Sequence, residues 1–184
     1  FTDYSLLGTT TNFVGLANYR DLFNKPDFQT ALTNTVIYAI AMVVSLLVLS
    51  VMFALFIQKR SRLNTTIQFT MFLPHIISLV SVSMVWQWLM NPSVGVLNVI
   101  LNFFHLPSLQ WLESSDTALF SIILIAVWKS IGYFTLIMLS SLQSIPKEIY
   151  EAASLDNASK TRTFFKITLP MISPQLFFIL IFII

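Results

Sequence analysis

Long stretches with almost no charge constrain this chain more than any other feature of its sequence. Residues 30–57 and 68–90 contain no Asp, Glu, Lys or Arg, and residues 118–143 contain only Lys129. Because a helix needs about 20 mostly apolar residues to cross a bilayer, each stretch is long enough to be a membrane span. We therefore predict an all-α membrane protein, a polytopic bundle of transmembrane helices with spans at 30–57, 67–90, 118–143 and 168–184.

Composition excludes several other classes of protein. Only 10% of the residues are charged and 56% are hydrophobic, whereas a soluble domain carries about 25% charged residues. The formal net charge of +2, without any basic block, gives no reason to expect a nucleic-acid partner. Cysteine is absent and the two histidines are isolated, so we predict no metal site. The high hydrophobic content predicts a surface that contacts membrane lipid.

The distribution of Lys and Arg predicts the orientation of the spans. These residues are concentrated in the loops 58–66 and 144–167, whereas the loop 91–117 contains neither. Because short cytoplasmic loops carry an excess of Lys and Arg, the first two loops are predicted to be cytoplasmic. The loop 91–117 and the segment 1–29 are then external.

The predicted external loop contains an amphipathic helical pattern. Leu97 and Leu101 share one helical face, and Asn98 and Asn102 share another. This spacing predicts a short helix lying at the outer interface. The outer aromatic belt is expected to contain Trp86, Trp88 and Trp111.

A polar stretch interrupts the apolar pattern from residue 149 to residue 170, "IYEAASLDNASKTRTFFKITLP". Pro146 suits a first helical turn, Asp156 and Asn157 are turn residues, and Ser159 or Asp156 can cap a second helix. The pattern predicts a helix–turn–helix across the cytoplasmic end of the bundle. It fits either an anchor at the membrane surface or a docking surface for a cytoplasmic partner.

Several motifs resemble one family of membrane proteins. "EAASLDNA" followed by "ITLP" resembles the EAA loop of ATP-binding-cassette (ABC) importer permeases, whose pattern is close to E-A-A-x-x-D-G-A. Asn157 stands where that pattern has glycine. "FVGLANYRDLF" (13–23), "FLPHIISLVSVSMVWQWLMNPSVGVLN" (72–98) and "VWKSIGYFTLIMLSSLQSIPKEIYEAA" (127–153) are similar to blocks of the carbohydrate-uptake branch, the maltose and glycerol-phosphate permease type. The resemblance implies one permease domain over 1–184, truncated at both ends.

The resemblance also implies a role for the loop. In that family the EAA loop forms a coupling helix that sits in a cleft of a cytoplasmic ATP-binding subunit. The coupling positions carried over to this chain are Glu151, Ala152, Ala153, Asp156 and Asn157. Further implied partners are a second, different permease subunit and an extracytoplasmic solute-binding protein, in the bacterial inner membrane.

The chain itself is expected to be no enzyme and to have no catalytic residues. It contains no G-x-x-x-x-G-K-[ST] phosphate-binding loop. We therefore expect it to bind no cofactor, and we expect a partner subunit to use ATP and Mg²⁺.

Lys129 is unusual because a charge at the bilayer centre costs about 2.5–3.5 kcal/mol on insertion scales. The predicted spans contain no Asp or Glu to pair with it. It is either a residue of the transport path or a structural lysine, capped by backbone carbonyls or reaching an interface. Tyr133 or Phe134, beside Gly132, could stack on a sugar ring.

The sequence leaves three functional classes to compare. A stand-alone secondary transporter normally uses acidic residues inside the membrane, and a membrane enzyme needs a convergent polar cluster. Neither pattern is present. Within the importer class, a glycerol phosphate would require more than one cation, so a neutral sugar, an oligosaccharide, is favoured.

Overall fold

The computed structural model describes residues 1–3, 12–59 and 61–183. By their internal contacts the residues form two compact units, Phe1–Tyr38 and Ala39–Ile184. The sequence predicts a single permease domain over 1–184. Three parts of the chain lie outside the described residues. They are residues 4–11 of the predicted external segment, Arg60 of the predicted basic loop, and the last residue, Ile184.

The first unit contains a short antiparallel pair of strands and two helical segments. Strand β1 (Thr2–Asp3) pairs with β2 (Asn12–Phe13). Helix α1 (Ala17–Phe23) follows, and α2 (Pro26–Ile57) begins in this unit and continues into the second. Pro26 is the first residue of α2, a position where its missing N–H costs no hydrogen bond.

The regular secondary structure of the second unit is entirely helical among its described residues. After α2 come α3 (Arg62–Ile76), α4 (Leu79–Leu89), α5 (Val96–Phe103), α6 (Ser115–Ser144), α7 (Lys147–Leu155), α8 (Lys160–Thr163), a π-helical turn (Phe164–Thr168) and α9 (Leu169–Ile183). Pro26–Ile57, Ser115–Ser144 and Lys160–Ile183 are each long and apolar enough to cross a membrane, and the pair α3 and α4 can form a fourth span. The prediction of an all-α membrane fold is confirmed.

The predicted span 67–90 is not one straight helix. Helices α3 and α4 are bent by 100° relative to each other, and Ile77 and Ser78 between them have extended backbone, with ψ of 140° and 136°. Pro74 lies in the last turn of α3. Because proline has no N–H, it removes a helical hydrogen bond there and weakens the continuation of the helix.

The predicted span 168–184 begins earlier than expected. The second helix of the loop 144–167 runs into it without a break, so the helical stretch covers Lys160–Ile183. The π turn joins the two parts, and the N–H of Leu169 donates to the carbonyl of Phe164, five residues back. Pro170 follows directly and has no N–H to resume the ordinary pattern.

The close contact of α3 with α6 is made at a glycine. A Cβ added at Gly132 would lie 1.8 Å from the carbonyl oxygen of Met71, so no side chain fits between the two backbones. Small residues at such points let membrane helices approach closely. The buried side chains nearby include Phe134, Met138 and Leu142.

The predicted external loop contains a short helix, α5, and buries one of its asparagines. Asn98 is 4% exposed; its Nδ2 donates to two backbone carbonyls, and its Oδ1 accepts from Leu109 N and, at 2.8 Å, from Trp111 Nε1. Trp111 is therefore buried in the loop and does not belong to an interfacial belt. Val99 and Phe103 of α5 are exposed instead, because burying one fully bonded amide orients the helix.

Candidate functional site

The EAA motif forms a short helix at the end of the longest helix of the second unit. Helix α6 ends at Ser144, and Ile145 and Pro146 are extended. Pro146 is the N-cap residue of α7. It lies one position before the first helical turn, whereas the sequence predicted it within that turn. These two extended residues interrupt the helix, so α7 is a separate helix that leaves the direction of α6.

The turn after α7 is a Schellman motif, a helix ending in which one residue takes the left-handed conformation. Ala158 N donates to Ala153 O at 3.0 Å, and Asn157 N donates to Ser154 O at 3.1 Å. Asn157 has φ of 53°, which explains why the family pattern has glycine here and why asparagine can replace it. Asp156 is the C-cap residue of α7.

Ser159 caps the next helix, α8. The sequence left Ser159 and Asp156 as the two alternatives for this cap. Its hydroxyl accepts a hydrogen bond from Arg162 N at 3.3 Å. Hydrogen bonds therefore fix the turn from α7 to α8 at both ends, through the Schellman motif at its start and the Ser159 cap at its end.

Four of the predicted coupling positions lie together on the surface. Glu151, Ala152, Asp156 and Asn157 are exposed, whereas Ala153 is buried and 6% exposed. Ala153 thus faces inward, and its carbonyl accepts the hydrogen bond that closes the Schellman motif.

Leu155 belongs to this surface and was missed from the sequence. It is 85% exposed and lies at the last position of α7. The signal was present: a large apolar residue stands between Ser154 and Asp156, in a segment that is otherwise small and polar. Leu155 therefore adds one exposed apolar side chain to the surface formed by the exposed coupling positions.

Tyr150 connects the EAA helix to the π turn. Its hydroxyl lies 3.3 Å from the hydroxyl of Thr168, which is buried at 4% exposure. A cleft of about 950 Å³ lies beside this contact and is bordered by Gln58, Asn157 and Thr161, among others.

Lys129 donates to backbone carbonyls at the bend between α3 and α4. Its Nζ lies 3.1 Å from Pro74 O, 3.1 Å from His75 O and 3.0 Å from Ile77 O. An ammonium group has three protons, so these three acceptors use all of them. The geometry is that of a carbonyl-capping lysine, one of the two alternatives left by the sequence.

Tyr133 and Phe134 have different surroundings. Tyr133 lines a cavity of about 520 Å³ together with Phe72, Gln175 and serine hydroxyls of α6, those of Ser140, Ser141 and Ser144. Phe134 is 5% exposed and packs edge-on against Tyr133 with ring centroids 5.2 Å apart. Of the two aromatic candidates, Tyr133 is therefore the one that borders open space.

Relatives of known name support the resemblance. The chain is 37% identical over 174 residues to a probable ABC transporter permease protein, YurN, of Bacillus subtilis, covering 91% of this chain and 59% of the relative. It is 35% identical to the arabinooligosaccharides transport system permease protein AraP of Halalkalibacterium halodurans, covering 95% of this chain and 55% of that protein. It is 34% identical to the sn-glycerol-3-phosphate transport system permease protein UgpA of Pectobacterium atrosepticum, covering 95% and 59%. The chain thus spans between 55% and 59% of the length of these curated relatives.

A solved structure shares the fold. It is a crystal structure of a bacterial ABC transporter involved in the import of the acidic polysaccharide alginate, with a TM-score of 0.81 and 26% sequence identity. The match covers 93% of this chain and 60% of that one. Residues 60–184 also match the family model for the inner membrane component of binding-protein-dependent transport systems. This chain therefore belongs to the family of binding-protein-dependent transport system inner membrane components.

Proposed function

We propose that the chain is part of the membrane-spanning subunit of an ATP-driven, binding-protein-dependent importer. A cytoplasmic ATP-binding subunit would use ATP and Mg²⁺, and an extracytoplasmic binding protein would deliver the solute. A second permease subunit, a different chain, would complete the path. The observation that carries the proposal is the EAA loop, folded as a short helix that exposes four of its five coupling positions.

The exposed face of α7 has the properties of a docking surface. Leu155 lies four residues after Glu151 and three after Ala152, so the three residues share one helical face. A large apolar side chain beside a small one and a carboxylate suits insertion of a helix into a groove of a partner. The 85% exposure of Leu155 is unfavourable in water until such a partner covers it.

The proposed solute is a neutral oligosaccharide. The cavity of about 520 Å³ is bordered by two aromatic residues, Tyr133 and Phe72, by two aliphatic ones, Leu136 and Ile137, and by three serines and Gln175, which are residue types that can form hydrogen bonds. Its volume lies in the range of about 300–1,000 Å³ that small-molecule sites occupy. None of the described residues that line it is a Lys, Arg, Asp or Glu.

A glycerol phosphate is the alternative solute, since one group of relatives is named for it. A phosphate is held by cationic donors, and the donors of Lys129 are all occupied by carbonyls. The neutral sugar is therefore the better fit to this part of the path. Lys129, Tyr133 and Phe134 remain the residues through which the path can be tested.

Single cysteines test the coupling proposal directly, because the chain has no native cysteine. We would express the full-length protein with its ATPase subunit, carrying Ala152→Cys, and add a thiol-reactive crosslinker with and without ATP. A crosslink to the ATPase that changes with nucleotide is the expected result. Ser108→Cys, in the predicted external loop, is the control and should give none.

Leu155→Asp provides a second readout. We expect normal insertion, but loss of ATP-driven uptake and of ATPase stimulation by the solute-loaded binding protein. Leu63→Asp, at a position that is 70% exposed on α3, is the matched control and should retain uptake. If Leu155→Asp transports normally and Ala152→Cys never reaches an ATPase, the loop is a surface anchor and the stand-alone transporter becomes the better hypothesis.

A further inference from the structure

The bend between α3 and α4 leaves backbone carbonyls without helical partners. The last carbonyls of a helix have no N–H donor within it, and the 100° change of direction separates those of α3 from the N–H groups of α4. In a bilayer no water is available to replace the missing donors. A bend inside an apolar stretch therefore needs donors from another element.

Lys129 of α6 supplies these donors. Two of its acceptors, the carbonyls of Pro74 and His75, belong to the last turn of α3, and the third belongs to Ile77 in the break itself. The negative end of the α3 dipole also favours a positive charge at this place. One side chain thus meets the hydrogen-bonding and the charge requirements of the bend.

Two neighbouring residues of α6 hold the same segment by other means. The ring of Tyr133 stacks on that of His75, with centroids 4.5 Å apart and planes 6° from parallel. Gly132 lies against the backbone of Met71. Positions 129, 132 and 133 share one helical face, so this face of α6 contacts the end of α3 over its last two turns.

We propose that Lys129 is a positioning residue that holds the bend between α3 and α4, and that it affects transport through this bend and not by binding the solute. The proposal does not depend on which solute is carried. It accounts for a charged residue in a predicted span that lacks any acidic partner. In this proposal Pro74 weakens the continuation of α3 locally, and α6 supplies the donors that hold the bend.

Distances between two spin labels test the proposal in the assembled full-length complex. Cysteines would be placed at Thr66 in α3 and Gln87 in α4, which are both exposed. With a rise of 1.5 Å per residue, arms of about 15 and 12 Å at the 100° bend put the two backbones roughly 18–25 Å apart, depending on the extent of the two-residue break, against about 32 Å in a straight helix.

Three substitutions of Lys129 give the decisive comparison. Lys129→Arg keeps donors and charge, and should retain the short distance and restore most of the uptake. Lys129→Met and Lys129→Gln should lengthen or broaden the distance and lower the maximal uptake rate severalfold, with little change in the KM for the solute. Lys25→Met, in the predicted external segment, is the matched control and should change neither.

The result that overturns the proposal is a short, sharp distance in the Met and Gln variants together with lost uptake or a raised KM. That outcome would assign Lys129 to the solute. If the Met variant fails to assemble, the Gln variant decides, because its amide remains polar but lacks the positive charge and the third donor of the lysine. A Gln variant with an unchanged distance and normal uptake would also contradict the proposal.

Discussion

Gly132 offers a sharp test of how α3 and α6 pack. In Gly132→Ala the new methyl group would lie 1.8 Å from Met71 O, 2.3 Å from Met71 C and 2.9 Å from Phe72 N. All three atoms belong to the backbone, so no side-chain rotation can relieve the contact. Since a carbon–oxygen contact needs about 3.3 Å, the two helices must separate locally by roughly 1.5 Å.

The expected cost follows from two opposing effects. Overpacking costs typically about 1–3 kcal/mol, and a contact with rigid backbone belongs at the upper end, about 3 kcal/mol. Alanine gains about 1 kcal/mol over glycine in helix propensity, so the net loss of unfolding free energy is about 2 kcal/mol. The same separation would take Lys129 Nζ beyond hydrogen-bonding distance of its carbonyls, which now lie 3.0–3.1 Å away.

Unfolding of the purified full-length protein in mixed micelles measures this loss, and uptake in vesicles measures its consequence for transport. Ser130→Ala, two residues earlier in the same helix, is the control and should change the unfolding free energy by less than about 0.5 kcal/mol. If Gly132→Ala is as stable as the control and transports normally, the two backbones are not in contact and the reasoning fails.

Three further substitutions probe the external loop, the turn after α7 and the cavity. Asn98→Leu should lower stability by at least about 2 kcal/mol, because it leaves the buried indole N–H of Trp111 without its acceptor; Asn102→Leu, at an exposed position, should have little effect, and equal melting temperatures for the two would refute this. Asn157→Gly should be neutral, whereas Asn157→Val should cost about 1–2 kcal/mol because φ is 53° there; normal stability and uptake in the Val variant would show that the left-handed turn is not required. Tyr133→Ala should raise the KM for the sugar severalfold, and an unchanged KM would remove Tyr133 from the proposed path; because this ring also stacks on His75, the spin-label distance across the bend is measured in the same variant.

Features that depend on local sequence could be predicted. The lengths of the apolar stretches predict which segments can cross a membrane, since that requirement concerns one helix at a time. The turn at Asn157 could be anticipated because few residues tolerate a positive φ. The cap at Ser159 follows from the same kind of local chemistry.

Features that depend on distant contacts could not be predicted. The three acceptors of Lys129 lie 52 to 55 residues away in the chain, and no periodicity indicates such a pairing. The pattern around Asn98 predicts the helix α5, but it does not predict that the amide of Asn98 finds its bonding partners inside the loop. Leu155 was overlooked because the sequence shows one apolar residue in a polar segment, but not that the fold leaves this side chain 85% exposed.

The π turn between α8 and α9 determines which way the two ends of this helix face. At 100° per residue, Arg162 would lie about 80° around an uninterrupted α-helix from Ile172, which is fully buried. A π turn absorbs one additional residue, so the separation becomes about 180°. The extra residue thus places the basic end of the helix on the side opposite its buried apolar residues. One continuous helix can therefore turn its basic end to water and its apolar side to the bundle.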